Sequence, residues 1–209
     1  MDWQAWHLDY DDPASGVSAR LPEVRRKLAT LLDSAGPGAR LLNLCAGDAR
    51  DMIPLLVGRD LDACAVELDP TLAETARRTA GEVGAVIDIR TGDAADPTTY
   101  ADRLPVDVLM LVGVLGNVSD ADGETTIAAA ASMLRPGGAV LWTRSDRSRS
   151  ESTHDYADPA DWVRDRFEAH GFATEAYVVP EGFHWRLGVS RLATPSPAPL
   201  PSRLFTFVR

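Results

Sequence analysis

The chain has 209 residues, 45% of them hydrophobic, enough for one full core and short for two. Its 31 acidic against 21 basic side chains give a formal net charge of −10, a surface that repels nucleic-acid phosphates unless a local basic patch compensates; a small-molecule partner is expected and nucleic acid is not. The longest apolar run, 106–116, is too short to span a bilayer and carries Asp107, and Met1-Asp2-Trp3-Gln4 lacks the basic, then apolar, start of an export signal, so a cytoplasmic location without a membrane partner is expected.

In chain order, residues 22–35 place Val24, Leu28, Leu31 and Leu32 at helical spacing, with Pro22 suited to a first turn and Gly36 to an end. Short apolar runs at 41–45, 63–67, 85–90, 106–112 and 139–144 read as strands buried on both faces of a parallel sheet. Between them, Thr71 and Glu74 form a capping box for a helix that Gly81 closes. Ile127, Ala130, Ala131 and Leu134 make the apolar stripe of another, ended by Pro136-Gly137-Gly138. This β-α-β-α alternation predicts a doubly wound α/β sheet. Asp158-Pro159 then starts a helix stopped by Gly171, and runs at 172–179 and 184–192, joined by Pro180-Glu181-Gly182, are close enough to pair as an antiparallel hairpin. A proline-rich stretch, 193–202, precedes a last predicted strand at 204–208. Cys45 and Cys64 lie in or beside core strands without metal-ligand spacing, so buried thiols, no disulfide and no metal are expected.

Ligands of an open α/β sheet bind beyond the carboxyl ends of its strands, where strand order reverses, and "NLCAGDARD" (43–51) occupies the first such turn. A nicotinamide site requires G-x-G-x-x-G, whereas this turn offers Cys45, Gly47 and Arg50, so a pyrophosphate cradle is disfavoured. Gly47 still admits the sugar or amino-acid part of a ligand close to the backbone, and Asp48 can accept a hydrogen bond from an ammonium or hydroxyl. At the second strand end, Glu67 can accept both ribose hydroxyls. At the third, Asp93 can accept from an adenine amine while Leu68 covers the ring. The ligand expected from this conjunction is a nucleoside without phosphates.

These stretches, "LLNLCAGDARD", "AVELDPTLAETAR", "IRTGDAAD", "VDVLMLVGVLGN" and "MLRPGGAVLWTR", resemble successive motifs of class I S-adenosylmethionine-dependent methyltransferases from about Leu41 to Arg144. The likeness extends to a bacterial subgroup with W-H-x-x-Y, L-C-A-G-x-x-R-D, G-N-V-S-D, W-T-R and a terminal F-x-F, matched here at Trp6–Tyr10, Leu44–Asp51, Gly116–Asp120, Trp142–Arg144 and Phe205–Phe207. The resemblance implies a Rossmann-like doubly wound seven-stranded sheet, mostly parallel with an antiparallel hairpin at its C-terminal end, one domain over 1–209 with 1–36 as N-terminal cover and 145–158 as a candidate lid loop, and S-adenosyl-L-methionine as cofactor. It assigns the methionine end to the Gly47 turn, the ribose to Glu67 and the adenine amine to Asp93, with Tyr10, Asn43, Cys45, Ala46, Asp48, Leu68, Ala94, Val112 and Gly113 completing the berth. It also marks departures, because the family places Asp or Glu at the position of Asn43 and glycine at those of Cys45 and Ala49.

Methyl transfer is an in-line displacement that needs a positioned nucleophile and exclusion of water, with a base only for a protonated acceptor. His7 is the expected base and Asn117 and Arg144 the expected acceptor-orienting residues, while His184 and the tryptophans Trp142 and Trp162 read as structural. Arg20 or Arg50 is expected to face the cofactor carboxylate. The expected activity is transfer to an oxygen or nitrogen of a small-molecule acceptor. The alternatives are a catalytically silent adenosyl-binding protein and, disfavoured by the missing glycines, a nicotinamide oxidoreductase.

Overall fold

The computed structural model describes residues 7–146, 153–195 and 198–208. Its strands are β1 (Ala39–Leu44), β2 (Leu61–Glu67), β3 (Asp88–Thr91), β4 (Val106–Leu111), β5 (Leu134–Ser145), β6 (Phe172–Val178) and β7 (Trp185–Leu192), joined in one sheet of order β3-β2-β1-β4-β5-β7-β6. The β1–β2, β1–β4, β2–β3 and β4–β5 pairings are parallel, while β7 runs antiparallel to β5 and β6. The helices are α1 (Gly16–Ala35), the single turn α2 (Ile53–Leu56), α3 (Pro70–Val83), α4 (Asp120–Met133) and α5 (Pro159–Ala169). This is the mostly parallel α/β sheet with a C-terminal hairpin that the sequence predicts. Among the described residues, no helix is long and apolar enough to cross a membrane.

Side-chain alternation along each strand divides the core into two layers. Leu42, Leu44, Val66, Leu109, Leu111 and Trp142 pack with Ile127 of α4 and Phe167 of α5 on one face. On the other, Leu41, Ala65, Val108, Met110 and Leu141 pack with Val24 and Leu28 of α1 and Ala76 of α3. Burial on both faces explains why these strands are continuous apolar runs. Trp142 fits because Gly188 stands opposite it on β7; a Cβ there would lie 2.1 Å from the indole ring, whose Nε1 donates to Ser190 Oγ at 3.0 Å. Trp142 and Trp162 are buried packing residues.

Several boundaries depart from the sequence reading. The first helix begins at Gly16 rather than Pro22, because Ser15 caps it by accepting from Ser18 N, and Pro22 lies inside it. Asp69, not Thr71, caps α3, accepting from Thr71 N and Leu72 N, and Glu74 turns to Arg77. That helix closes at Gly84, whose left-handed φ lets Gly84 N and Ala85 N both donate to Ala80 O; Gly81 stays helical. Ala85 is consumed by this cap, so β3 starts only at Asp88. Leu134, expected on α4, opens β5. Residues 204–208 form no strand beyond a Val118–Phe207 bridge, because their amides donate to three separate sites.

Candidate functional site

β1 and β4 are the neighbours between which the chain's winding reverses, and the carboxyl ends of β1 to β4 share one rim. The turn leaving β1 alternates left-handed residues at Cys45 (φ 58), Gly47 (φ 59) and Ala49 (φ 53). An L-residue in this region costs about 1–2 kcal/mol, and the turn holds Cys45 and Ala49 there although glycine would adopt it without strain. Gly47 has a second reason to lack a side chain: a Cβ would lie 2.2 Å from His7 Nε2.

Glu67 holds this rim together. Its Oε2 accepts from Gly47 N at 2.7 Å and its Oε1 from Asp69 N at 2.8 Å, while its carbonyl accepts from Gly92 N at 2.9 Å. One buried carboxylate therefore ties the loops after β1 and β2, with lone pairs left for further donors. Asp93 Oδ1 accepts from Ala95 N at 2.9 Å, and its Oδ2 lies 3.0 Å from Arg203. Burial, reinforced by Glu67 and Asp93, pushes the Cys45 thiol well up from its ordinary value.

Two cavities open on this rim. The first, about 130 Å³, is lined by His7, Cys45, Gly47, Glu67, Leu68, Asp93, Ala94, Val112 and Gly113, all expected, and by Leu72, Arg203, Phe205 and Phe207, which were not. Glu67 and Asp93 thus face one space. The second, about 480 Å³, shares Gly113 and is lined by Asn117 and Arg144 together with Asp9, Arg20, Thr143, Phe183, His184 and Trp185. Tyr10, Asn43, Ala46 and Asp48 line neither. Asp48 instead pairs with Arg50, whose guanidinium lies 4.4 Å from the centre of the Tyr10 ring; Tyr10 Oη accepts from Arg20 at 3.4 Å, and Asn43 Nδ2 donates to Asp51 at 3.4 Å.

Arg20 is buried and, among the described residues, has no carboxylate within 4.0 Å; it donates to Thr143 Oγ1, which also accepts from Gly113 N at 2.9 Å. Asn117 Nδ2 donates to Gly113 O at 2.7 Å, so Gly113 is fixed from both sides. Burial pulls the Arg144 guanidinium below its ordinary value against the opposing pull of Asp120, and Arg144 also donates to the Leu115 carbonyl. Asp120 further accepts from Thr153 N and Oγ1, anchoring the chain after the expected lid loop, whose residues 147–152 lie outside the described ones, as do Trp3 and Trp6. His184, read from sequence as structural, lines the second cavity with Nδ1 3.0 Å from Asp146.

Asp51, behind the turn, is pushed up to about 6 by burial, with Arg20 opposing. Its folded-state value exceeds the ordinary 3.8, so its contribution to stability is fully present below about 3.8 and lost as pH rises through about 6. Asp51→Asn is expected to stabilise the fold by about 3 kcal/mol above about pH 7 and to change little near about pH 4. Urea midpoints at the two pH values check this; an equal effect at both contradicts it.

The sheet order, reversing between β1 and β4 with an antiparallel β7, defines a Rossmann-like α/β fold. Residues 41–138 match a family model described as a methyltransferase domain. That match spans β1 to β4 and the opening of β5, the central part of a Rossmann-like α/β sheet. The chain is similar in fold to magnesium protoporphyrin IX methyltransferase from Synechocystis PCC 6803 with bound S-adenosylhomocysteine (TM-score 0.69, 16% identity, covering 90% of this chain and 93% of that one). It is also similar to an RNA methyltransferase from Salinibacter ruber in complex with S-adenosyl-L-homocysteine (0.52, 20%, 88% and 97%) and to a Methanococcus jannaschii fibrillarin pre-rRNA processing protein (0.61, 22%, 76% and 68%). No curated protein matches the sequence.

Proposed function

We propose that the protein transfers a methyl group from S-adenosylmethionine to an oxygen or nitrogen of a small-molecule acceptor, and that it falls with the bacterial subgroup whose motifs it carries. The observation that carries this reading is the meeting of two cavities at Gly113, one walled by the strand-end carboxylates and the other by Arg20, Asn117, Arg144 and His184. The first suits an adenosyl group, with Glu67 accepting from ribose hydroxyls, Asp93 accepting from the adenine amine and the Gly47 turn receiving the methionine end. Bound there, the cofactor supplies an electrophilic methyl on a sulfonium. The two similar structures named above that hold S-adenosylhomocysteine, the demethylated product of the cofactor, support the choice of ligand.

The chain's own residues do the rest. Asn117 and Thr143 fix Gly113, the shared wall, while Arg20 orients an acceptor in the second cavity; Arg144, its side chain buried against Asp120 and the Leu115 carbonyl, supports that wall from behind. In this reading His7, against Gly47 in the first cavity, takes the proton of a hydroxyl or ammonium acceptor that reaches past Gly113 toward the cofactor methyl. The formal charge of −10 favours a small acceptor over RNA. Incubating the purified protein with methyl-labelled cofactor and separated small-molecule and RNA fractions tests this reading. Label is expected in the small-molecule fraction; label confined to RNA contradicts the acceptor class, and bound cofactor without transfer to any fraction contradicts catalysis.

A further inference from the structure

The chain leaves β7 at Leu192, beside β5 and β6, yet residues 203–208 lie against the loops after β3 and β4. They are docked by backbone bonds: Leu204 N donates to Ala95 O at 2.8 Å, Thr206 N to Asp122 Oδ2 at 2.9 Å and Val208 N to Asn117 O at 2.8 Å, while Thr126 Oγ1 donates to Leu204 O at 3.2 Å. Leu204 and Phe205 are buried in the core beside Ala94 and Ala95, which sets the register of the segment. That register brings Arg203 and Phe207 to the first cavity, where Leu68 and Leu72 supply further apolar surface. Arg203 pairs with the one Asp93 oxygen that Ala95 N does not occupy.

The geometry points to Arg203–Phe207 as a wall of the adenine slot, in which Phe207 packs on the purine and Arg203, a positioning residue, holds the Asp93 carboxylate toward the exocyclic amine. The assignment rests on the placement of adenosine in this cavity. An aromatic ring packs on any purine face regardless of its substituents, whereas a carboxylate accepts from adenine's amine and repels the oxygen that replaces it in hypoxanthine. The two side chains therefore leave different signatures with S-adenosylhomocysteine and its deaminated analogue, S-inosylhomocysteine.

Calorimetric titration of both compounds into the wild type and into Phe207→Ala, Arg203→Gln and Arg203→Lys separates them. Phe207→Ala is expected to weaken both compounds alike, by about tenfold. Arg203→Gln is expected to cut the preference for the adenosyl compound by about threefold or more, with Arg203→Lys restoring part of it. Phe207→Ala binding both compounds within about twofold of the wild type overturns the wall, and an unchanged preference in Arg203→Gln overturns the positioning role. Glu67→Ala measured alongside separates this inference from its premise. If that variant loses the adenosyl compound while Phe207→Ala keeps it, the site stands and the inference alone falls; if Glu67→Ala binds like the wild type, the placement fails and takes the inference with it.

Discussion

Glu67→Ala is expected to lower the affinity for S-adenosylhomocysteine by about a hundredfold or more. Hydrogen bonds to a charged group contribute about 1.5–3 kcal/mol each, and the carboxylate is placed to accept from two ribose hydroxyls. The same oxygens accept from Gly47 N and Asp69 N, so the substitution also leaves two amides of the rim without their acceptor and is expected to lower stability by about 2–4 kcal/mol. Glu67→Gln separates the two effects because it keeps an oxygen for one amide while removing the charge; it is expected to regain much of the stability and little of the affinity. Calorimetry paired with thermal unfolding reads both quantities. A folded Glu67→Ala variant with wild-type affinity contradicts the ribose assignment.

Gly188→Ala is expected to be the most damaging small substitution in the sheet, costing about 3 kcal/mol or more. An alanine in a strand ordinarily stabilises by about 0.5–1 kcal/mol relative to glycine, so the sign is reversed by one contact. The new Cβ would fall 2.1 Å from the Trp142 indole, a rigid group with no exposed surface, held by Ser190 and stacked on Phe167 at 5.8 Å. The indole cannot withdraw without breaking the β5–β7 seam. Urea unfolding checks this, and a Trp142→Leu background supplies the control, since Gly188→Ala is expected to cost less than about 1 kcal/mol there. Equal costs in both backgrounds exclude the contact as the cause.

What the sequence made legible follows from which interactions leave a local pattern. Strands buried on both faces must be apolar at every position, so the runs around Leu42, Val66 and Leu109 stood out, and the few residues between β6 and β7 implied their antiparallel pairing. Gly47, Glu67 and Asp93 were visible because they sit at the ends of such runs, and all three line one cavity. The start of α1 was hidden because Pro22 is a stronger helix-start signal than the Ser15 cap that wins. Asp48 reads as a ligand group by position, yet Arg50, two residues on, takes its carboxylate. The C-terminal wall was illegible for a different reason. Arg203 and Phe207 reach the cavity through backbone bonds to distant loops, which impose no periodicity; the F-x-F motif was visible, but its place was not.

A crystal structure of the chain with S-adenosylhomocysteine measures directly where an adenosyl group sits. The ribose hydroxyls are expected within about 3 Å of the Glu67 carboxylate, with the adenine amine at Asp93 and the sulfur facing the cavity beyond Gly113. Adenosine density elsewhere on the molecule, or hydroxyls out of hydrogen-bonding reach of Glu67, would contradict it.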